Sequence, residues 1–563
     1  MPLTPSGFTA STSRRRGPSR TRILVALLVV LVLLAAAGVG YFLKTRADAR
    51  AADRAATSAA QAYLSGWQSL GAPGDAGGDA SAAAAAQERG KAGVTAVSVP
   101  GTIAVDQLVA TMVDVRTKLN VTGARFVAGA LTRRDSNATV GYSASLTLAG
   151  FGEPFTYDAL LHLVQQGKAW KVQARPDSVN PALTPGLRLD RTSSTGKRGQ
   201  LLDANGQPLG ADAELAGNLI GQVAPSSGLQ RVYDTDLAPQ GGTVVVRNDR
   251  NETVSTLRTY PMTDGKDVQT TLDLNVQRAG EAAMAAAAKP NGALVAIDTR
   301  TGGVLALVNH PLNGYSRAVI GRYPPGSTFK IVTATAALIA GKDPNTSLDC
   351  TQTVAIGGRT FQNAEAEQFG PIPLRTAFAR SCNTAFIRLE QSLPDSALEQ
   401  TAKLYGFDGS QPLPIASVGG SFPTPKDAVE SASAAIGQGK VSASPLQMAS
   451  VAAAVASGTW RQPFVAGTTP RSNALPPAAV APLQDFMRAV VTEGTANGVA
   501  FPGEVRGKTG TAEYKDGTPP PTHGWFVGYR GTVAFAVIVE DGGFGAQSAA
   551  PVAARFLAGL AAP

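Results

Sequence analysis

The sequence predicts a multidomain chain: an N-terminal transmembrane helix, a small α+β unit, a short connecting domain and a larger α/β domain. Three observations predict it. Residues 23–43 form an uncharged apolar run of 21 residues, enough at about 1.5 Å per residue to cross a hydrocarbon layer of roughly 30 Å. Between 94 and 172, short runs alternate apolar and polar side chains with period two, the pattern of half-buried strands. From 267 onward the chain reads as strands, a long helical block, more strands and a last helix. At 563 residues it exceeds one core, and units of roughly 100–200 residues are expected.

Residues 1–22 are polar and rich in Ser and Arg, the composition of a disordered basic tail. Of the formal charge of +9, Arg14, Arg15, Arg16, Arg20 and Arg22 supply five, which leaves +4 for the rest of the chain. No cluster of Lys and Arg with stacking aromatics accompanies it, so a nucleic-acid partner is not expected. The arginines precede 23–43 and mark the cytoplasmic side, which puts everything after Lys44 outside, in a single-pass protein of the cell membrane. Lys44, Arg46 and Arg50 follow the span as well, interleaved with Asp48 and Asp53. A cleaved signal peptide is the competing reading, kept open by Ala35-Ala36-Ala37, although its apolar region usually spans only about 7–15 residues.

Beyond the span, 51–70 has helical character with Tyr63 and Trp67 on one face, and 71–90 reads as a Gly/Ala/Asp-rich loop. Strands are expected at 94–99, 124–131, 139–148, 157–164 and 168–172, with a helix near 105–115. This α+β unit, 44–185, holds no paired carboxylates and no nucleophile beside a base, so it reads as a spacer. A short domain follows over 186–266, with a hairpin turn at Asn205-Gly206. The last domain, 267–563, opens on a helix to 288 and strands at 292–298 and 303–308. It is mostly helical from 326 to 500 and closes with strands at 505–513, 524–529 and 532–539 and a helix at 551–560.

Ser327-Thr328-Phe329-Lys330 sits behind Pro324-Pro325-Gly326 and runs into the apolar stretch 331–340. At a helix start, positions i and i+3 share a face, so an amine meets the hydroxyl it must deprotonate, and serine is a poor nucleophile without such a base. The helix start also aims backbone N–H groups at a reacting carbonyl. A second S-x-x-K at Ser194–Lys197 has no helix after it. Ser381-Cys382-Asn383 lies between helix-like segments, unlike Ser178-Val179-Asn180, which precedes a proline. Lys508-Thr509-Gly510 occurs once, on a strand continuing through Thr511, Ala512 and Glu513. A strand edge can pair with an extended peptide.

The order S-x-x-K, S-x-N, K-T-G identifies the resemblance: the chain resembles the penicillin-binding proteins and serine β-lactamases. Phe361-Gln362-Asn363, Gly437-Gln438-Gly439 and 524–529 stand at family-like positions as packing and cleft-wall elements. The unit ending in Trp170-Lys171-Val172 and Asn180-Pro181-Ala182-Leu183 resembles the cone-like α+β extension of class B members related to the methicillin-resistance transpeptidase. The segment from Lys197 to Gly206 resembles the start of their pedestal domain, and 267–563 resembles the penicillin-recognising fold over its whole length. The stretch before Lys197 is too short for a glycan-polymerising domain too, so a monofunctional enzyme is expected.

The resemblance implies a peptidoglycan D,D-transpeptidase. Ser327 would attack the carbonyl of a terminal D-Ala-D-Ala bond, Lys330 would be its base, and Ser381 would relay a proton to the leaving amine. Asn383 would hold the substrate's backbone amide, Lys508 would supply positive charge, and Thr509 and Thr511 would bind the donor's carboxylate. Gly510 would leave room for substrate, and the backbone N–H groups of Ser327 and Thr511 would form the oxyanion hole. Partners implied are peptidoglycan stem peptides, β-lactams as inhibitors, the membrane and a glycan-polymerising protein. No metal or cofactor is implied, and His162, His310 and His523 lie too far apart in sequence for ligand spacing.

A Ser-His arrangement using His523 is set aside in favour of a surface histidine flanking a strand. Cys350 and Cys382 are the two cysteines; Cys382 reads as a small residue in a tight site, and export would permit one bridge between them. The rivals are a D,D-carboxypeptidase, a β-lactamase and a non-catalytic β-lactam sensor. A β-lactamase using a glutamate between S-x-N and K-T-G would draw on Glu390, Glu399, Glu430, Glu493 or Glu504, none in that family's context.

Overall fold

The structure, a computed structural model, describes residues 20–70, 80–193, 195–211, 219–224, 226–289, 291–312, 315–409, 413–467, 471–517 and 519–560. The chain forms two compact units. The first comprises residues up to 196 together with 240–263, and the second comprises 197–239 together with 264 onward. The stretch 186–266, read above as one pedestal, thus contributes to both. The disordered-tail reading of 1–19 and the decoy Ser194 lie outside the described residues.

In the first unit, helix α1 (Arg20–Gln68) runs unbroken for 49 residues, about 74 Å at the α-helical rise. Its apolar window, of mean hydropathy 2.3, is unburied and is long enough to cross a membrane. Its later turns bury Ala56, Ala60, Tyr63, Leu64 and Trp67. Helix α2 (Ala80–Val97) replaces most of the expected loop and the start of the expected strand at 94–99; 71–79 fall outside the described residues. The alanine run 82–86 has the highest helix propensity, and Gly90, read as a loop signal, is a contact position. A Cβ on Gly90 would lie 2.6 Å from Leu70 N, and one on Gly66 2.8 Å from Val94 N. The strand survives only as β1 (Ser98–Pro100).

Helix α3 (Val105–Lys118) and strands β2 (Val121–Arg134), β3 (Asn137–Leu148), β4 (Phe155–Gln166) and β5 (Ala169–Ala174) follow. The sheet runs β1-β5-β4-β3-β2, with β1 parallel to β5 and the other pairs antiparallel. Val140, Tyr142, Ala144, Leu146 and Leu148 are buried while their neighbours alternate outward, so one face packs on the core. Strands β6 (Arg188–Ser193), β7 (Gln240–Arg247) and β8 (Thr253–Thr263) make a second, antiparallel sheet.

The second unit is built on an antiparallel sheet of five strands. These are β9 (Gly292–Asp298), β10 (Val304–His310), β11 (Arg506–Glu513), β12 (Thr522–Arg530) and β13 (Val533–Val539), in the order β10-β9-β13-β12-β11. Both faces are covered, which is why β9 is buried along nearly its whole length. Around it pack α4 (Leu274–Ala285), α5 (Lys330–Ile339), α6 (Leu374–Ala379), α7 (Asn383–Gln391), α8 (Pro445–Ser457), α9 (Pro477–Thr492) and α10 (Ala549–Gly559). The region 326–500 is less purely helical than expected. Ser347–Cys350 pairs with Gly370–Pro373, Thr353–Ile356 with Arg359–Gln362, and Thr459–Arg461 with Ser472–Ala474.

Candidate active site

Ser327 lies in a single 3₁₀ turn, Gly326–Phe329, that leads into α5. The turn is held from all sides. Gly326 has φ +52, and a Cβ there would lie 2.6 Å from Thr511 O on β11, so only glycine permits the approach. Trp525 Nε1 donates to Pro324 O (3.1 Å), and Thr328 Oγ1 donates to Pro325 O (2.6 Å). Helix α5 is buried on every face up to Leu338, and so its first residue, Lys330, is 0% exposed.

The Lys330 amine gathers the site. Nζ lies 3.0 Å from Ser327 Oγ, 2.7 Å from Ser381 O, 3.3 Å from Ser381 Oγ and 2.6 Å from Asn383 Oδ1. Burial, and then the charge of Lys508, hold its pKa well below the usual lysine range. Ser381 occupies the break between α6 and α7 with φ +60, a conformation that costs a non-glycine residue roughly 1–2 kcal/mol. The fold holds it there through Ser381 N donating to Phe378 O (3.1 Å), Cys382 N donating to Ala377 O (3.0 Å), and a Cys350–Cys382 disulfide.

Asn363, read from sequence only as part of a cleft wall, proves to be the cap of α7. Cys382 at the helix start offers no capping side chain. Asn363 Oδ1 instead accepts from Asn383 N (2.8 Å) and Thr384 N (3.1 Å), and its Nδ2 donates to Thr351 O (2.9 Å) and Glu367 O (2.8 Å). A remote asparagine thus satisfies helix-start donors that would otherwise lack partners. Asn383 Nδ2 donates to Gln362 O (3.1 Å).

Strand β11 is the sheet's edge. Lys508 is fully buried; Nζ donates to Thr509 O (3.1 Å) and lies 5.6 Å from the Phe378 ring centroid, and burial lowers its pKa to about 7. Thr509 Oγ1 shares a hydrogen bond with Thr495 Oγ1 (2.5 Å). The space beside Gly510 is taken by the protein: a Cβ there would meet Thr328 Cγ2 at 2.8 Å, Trp525 Cβ at 3.0 Å and Pro325 O at 3.2 Å. Its glycine lets the strand lie against the Ser327 turn.

His523 departs from the surface reading. It lies within β12, 8% exposed, with Nδ1 accepting from Asp541 N (3.2 Å) and its ring stacked on Tyr514 at 4.1 Å. The glutamates weighed for a β-lactamase are engaged elsewhere. Glu399, Glu430, Glu493 and Glu504 pair with Lys403, Lys440, Arg375 and Arg506, and Glu390 accepts from Ser431 Oγ. Among the described residues no group of three His, Cys, Asp or Glu side chains is placed to hold a metal ion.

A helix-start serine, a dehydrated lysine three residues on, and an open strand edge beside them define an acyl-serine enzyme on the penicillin-recognising fold. The family profile of the penicillin binding protein transpeptidase domain matches residues 292–558. The peptidoglycan D,D-transpeptidase PbpA of Mycolicibacterium smegmatis is 33% identical over 336 residues, covering 50% of this chain and 68% of that one. Among solved structures, penicillin-binding protein A from M. tuberculosis, as a ceftriaxone acyl-enzyme complex, superposes with a TM-score of 0.55 at 27% identity, over 65% of this chain and 98% of that one. A structure described as the structural coordination of polymerization and crosslinking by a peptidoglycan synthase complex gives 0.53 at 27% identity, over 73% and 78%. The chain belongs to the penicillin-binding proteins. It is a serine-type peptidoglycan D,D-transpeptidase that binds stem peptides and is acylated by β-lactams.

Proposed function

We propose that Ser327 is the acylated nucleophile, Lys330 its base and Ser381 the relay to the leaving group. The observation that supports this reading is the set of four oxygens around Lys330 Nζ. A neutral amine has two N–H donors and one lone pair. Ser381 O and Asn383 Oδ1 can only accept, so they take both donors, and the lone pair is left for a hydroxyl of Ser327 or Ser381. Ser327 Oγ attacks the scissile carbonyl as its proton passes to Nζ. The new C–O bond leaves an oxyanion facing the N–H groups of Ser327 and Thr511. The C–N bond then breaks as Ser381 Oγ gives its proton to the departing D-alanine nitrogen and takes the one on Nζ. An amine of a neighbouring stem attacks the ester and gives up a proton through Ser381 Oγ to Nζ; the new C–N bond stays, the C–O bond breaks, and that proton passes from Nζ to Ser327 Oγ.

Lys508, Thr509 and Thr511 receive the donor's terminal carboxylate, and Asn383 its backbone amide. On this reading 1–22 are cytoplasmic and everything beyond 44 is outside, in keeping with the arginines before the span and the disulfide. Residues 44–185 act as the spacer and 267–563 as the transpeptidase domain, and the pedestal stretch 186–266 contributes to both compact units. A glycan-polymerising protein is the expected partner, by analogy with the synthase complex. Labelled penicillin followed by peptide mapping tests the assignment: the label belongs on Ser327, and a label on another serine contradicts it.

A further inference from the structure

We propose that Gln438 closes the open edge of β11 at Glu513, so that a donor peptide pairs with that edge through one residue only. The inference rests on β11 being the donor-binding edge and extends that reading to how far the pairing reaches.

Backbone groups along an antiparallel strand alternate between its two neighbours. Tyr514 N, just past β11, donates to Pro521 O ahead of β12, so the even-numbered positions face β12. The β11–β12 register is continuous from Arg506 to Glu513, which leaves Thr509, Thr511 and Glu513 facing the open edge. The nucleophile turn lies beside Thr511 O. A donor running antiparallel to β11, with its carboxylate toward Thr509, would put the residue bearing the scissile carbonyl opposite Thr511. That residue would give its N–H to Thr511 O and its C=O to Thr511 N. The next equivalent pair, two residues toward the donor's N-terminus, would form at Glu513.

That place is occupied. With the Gln438 amide oriented N toward Glu513 O and O toward Glu513 N, the orientation that satisfies both groups, it donates to Glu513 O (3.2 Å) and accepts from Glu513 N (3.0 Å), the two bonds a peptide group of a neighbouring strand would make. The loop carrying it is fixed on both sides. Gly326 N donates to Gly437 O (2.9 Å), Gln438 N donates to Ser433 O (2.9 Å), and a Cβ on Gly437 would lie 2.2 Å from Gly326 O. The same loop therefore sets the height of the nucleophile turn and ends the edge on which the substrate lies. Gln438 is a specificity-determining residue that does not touch the scissile bond. It makes the enzyme indifferent to the backbone of the donor's more distant residues.

The test compares wild type with Gln438→Ala on N-acyl-D-Ala-D-Ala and on the same donor extended by two residues at its N-terminus. In wild type the two donors should acylate with kcat/KM within about threefold of each other. In the variant the longer donor should gain roughly tenfold through KM, the worth of two ordinary hydrogen bonds, with penicillin acylation changed by less than about threefold. An unchanged length ratio, or a loss of penicillin acylation in a folded variant, would overturn the proposal. Hydrogen exchange at the Glu513 amide of the unmodified full chain is a second measurement that needs no variant. A protected amide is expected, and exchange at the rate of a free edge would overturn it. Failure of penicillin to label Ser327 would instead sink the catalytic reading, leaving the exchange result to judge Gln438 alone.

Discussion

Each unit contains a five-stranded sheet, and the two leave different parts of it uncovered. The first unit's sheet, which ends on the edge strands β1 and β2, also leaves a face, where Ser143, Thr147, Asp158 and Leu160 are exposed. The second unit's sheet is covered on both faces and leaves an edge, β11. A face offers side chains at wide spacing, with its backbone groups already used between strands. An edge offers free N–H and C=O groups in strand register. Here it also lies beside a helix start so deeply packed that a lysine loses its water. The same burial that leaves Lys330 0% exposed favours the uncharged form of its amine. Chemistry follows the edge and the dehydrated helix start, and strand count has no bearing on it.

The largest effect expected is at the helix start: Ser327→Ala should abolish penicillin labelling, read by fluorescent penicillin on gels, in a protein with unchanged circular dichroism. Labelling that persists would move the nucleophile elsewhere.

The cap of α7 comes next. Asn363→Ala strips partners from the N–H groups of Asn383 and Thr384, at about 1–3 kcal/mol for each group left unsatisfied. Acylation should fall about tenfold or more and Tm by several degrees. Asn363→Asp keeps an acceptor for both N–H groups but sets its second oxygen against Thr351 O and Glu367 O, so it should recover only part of the rate. Unchanged acylation and Tm in Asn363→Ala would show that the cap is not what Asn363 supplies.

A smaller effect concerns pH. The folded pKa of Lys508 is lowered to about 7 by burial, whereas an unfolded lysine titrates at about 10.4. Between those values the unfolded state holds a proton that the folded state lacks, so stability should rise with pH by about 2 kcal/mol from pH 7 to 9. Below both values the two states are equally protonated and the slope vanishes. The buried Lys330 acts in the same direction. Urea unfolding at three pH values measures the slope, and Lys508→Met should flatten it; an equal slope in that variant would contradict the assignment. The smallest effect belongs to the exposed face. Ser143→Ala removes a hydrogen bond to Asp158 at the surface and should shift stability by less than about 0.5 kcal/mol, with acylation unaffected. A large loss of acylation there would erase the contrast between face and edge.

Much of this was legible in the sequence because the chemistry is local. Ser327 and Lys330 are three residues apart on one helix turn, and Lys508 to Thr511 are consecutive on one strand. Strands β9, β10 and β13 were legible as apolar runs. The long apolar helix was legible because nothing in 23–43 is charged. What escaped depends on long-range contact. Asn363 and Gln438 act on backbone groups 20 and 75 positions away, and no periodicity encodes such a pairing. Part of helix α2 was read as a loop because Gly90, which permits a close approach to Leu70, carries the same letter as a turn glycine. His523 was read as exposed because its stacking on Tyr514 and its bond from Asp541 are contacts of the folded state.

The central claim is that Lys330 works as a neutral base in a dehydrated helix start, and Lys330→Arg tests it most directly. Arginine keeps its proton at any working pH, so the variant preserves charge and much of the packing while removing the lone pair. Stopped-flow acylation by a chromogenic cephalosporin, on protein shown to be folded, should slow by roughly 10² to 10⁴. Near wild-type acylation by a folded Lys330→Arg protein would contradict the account.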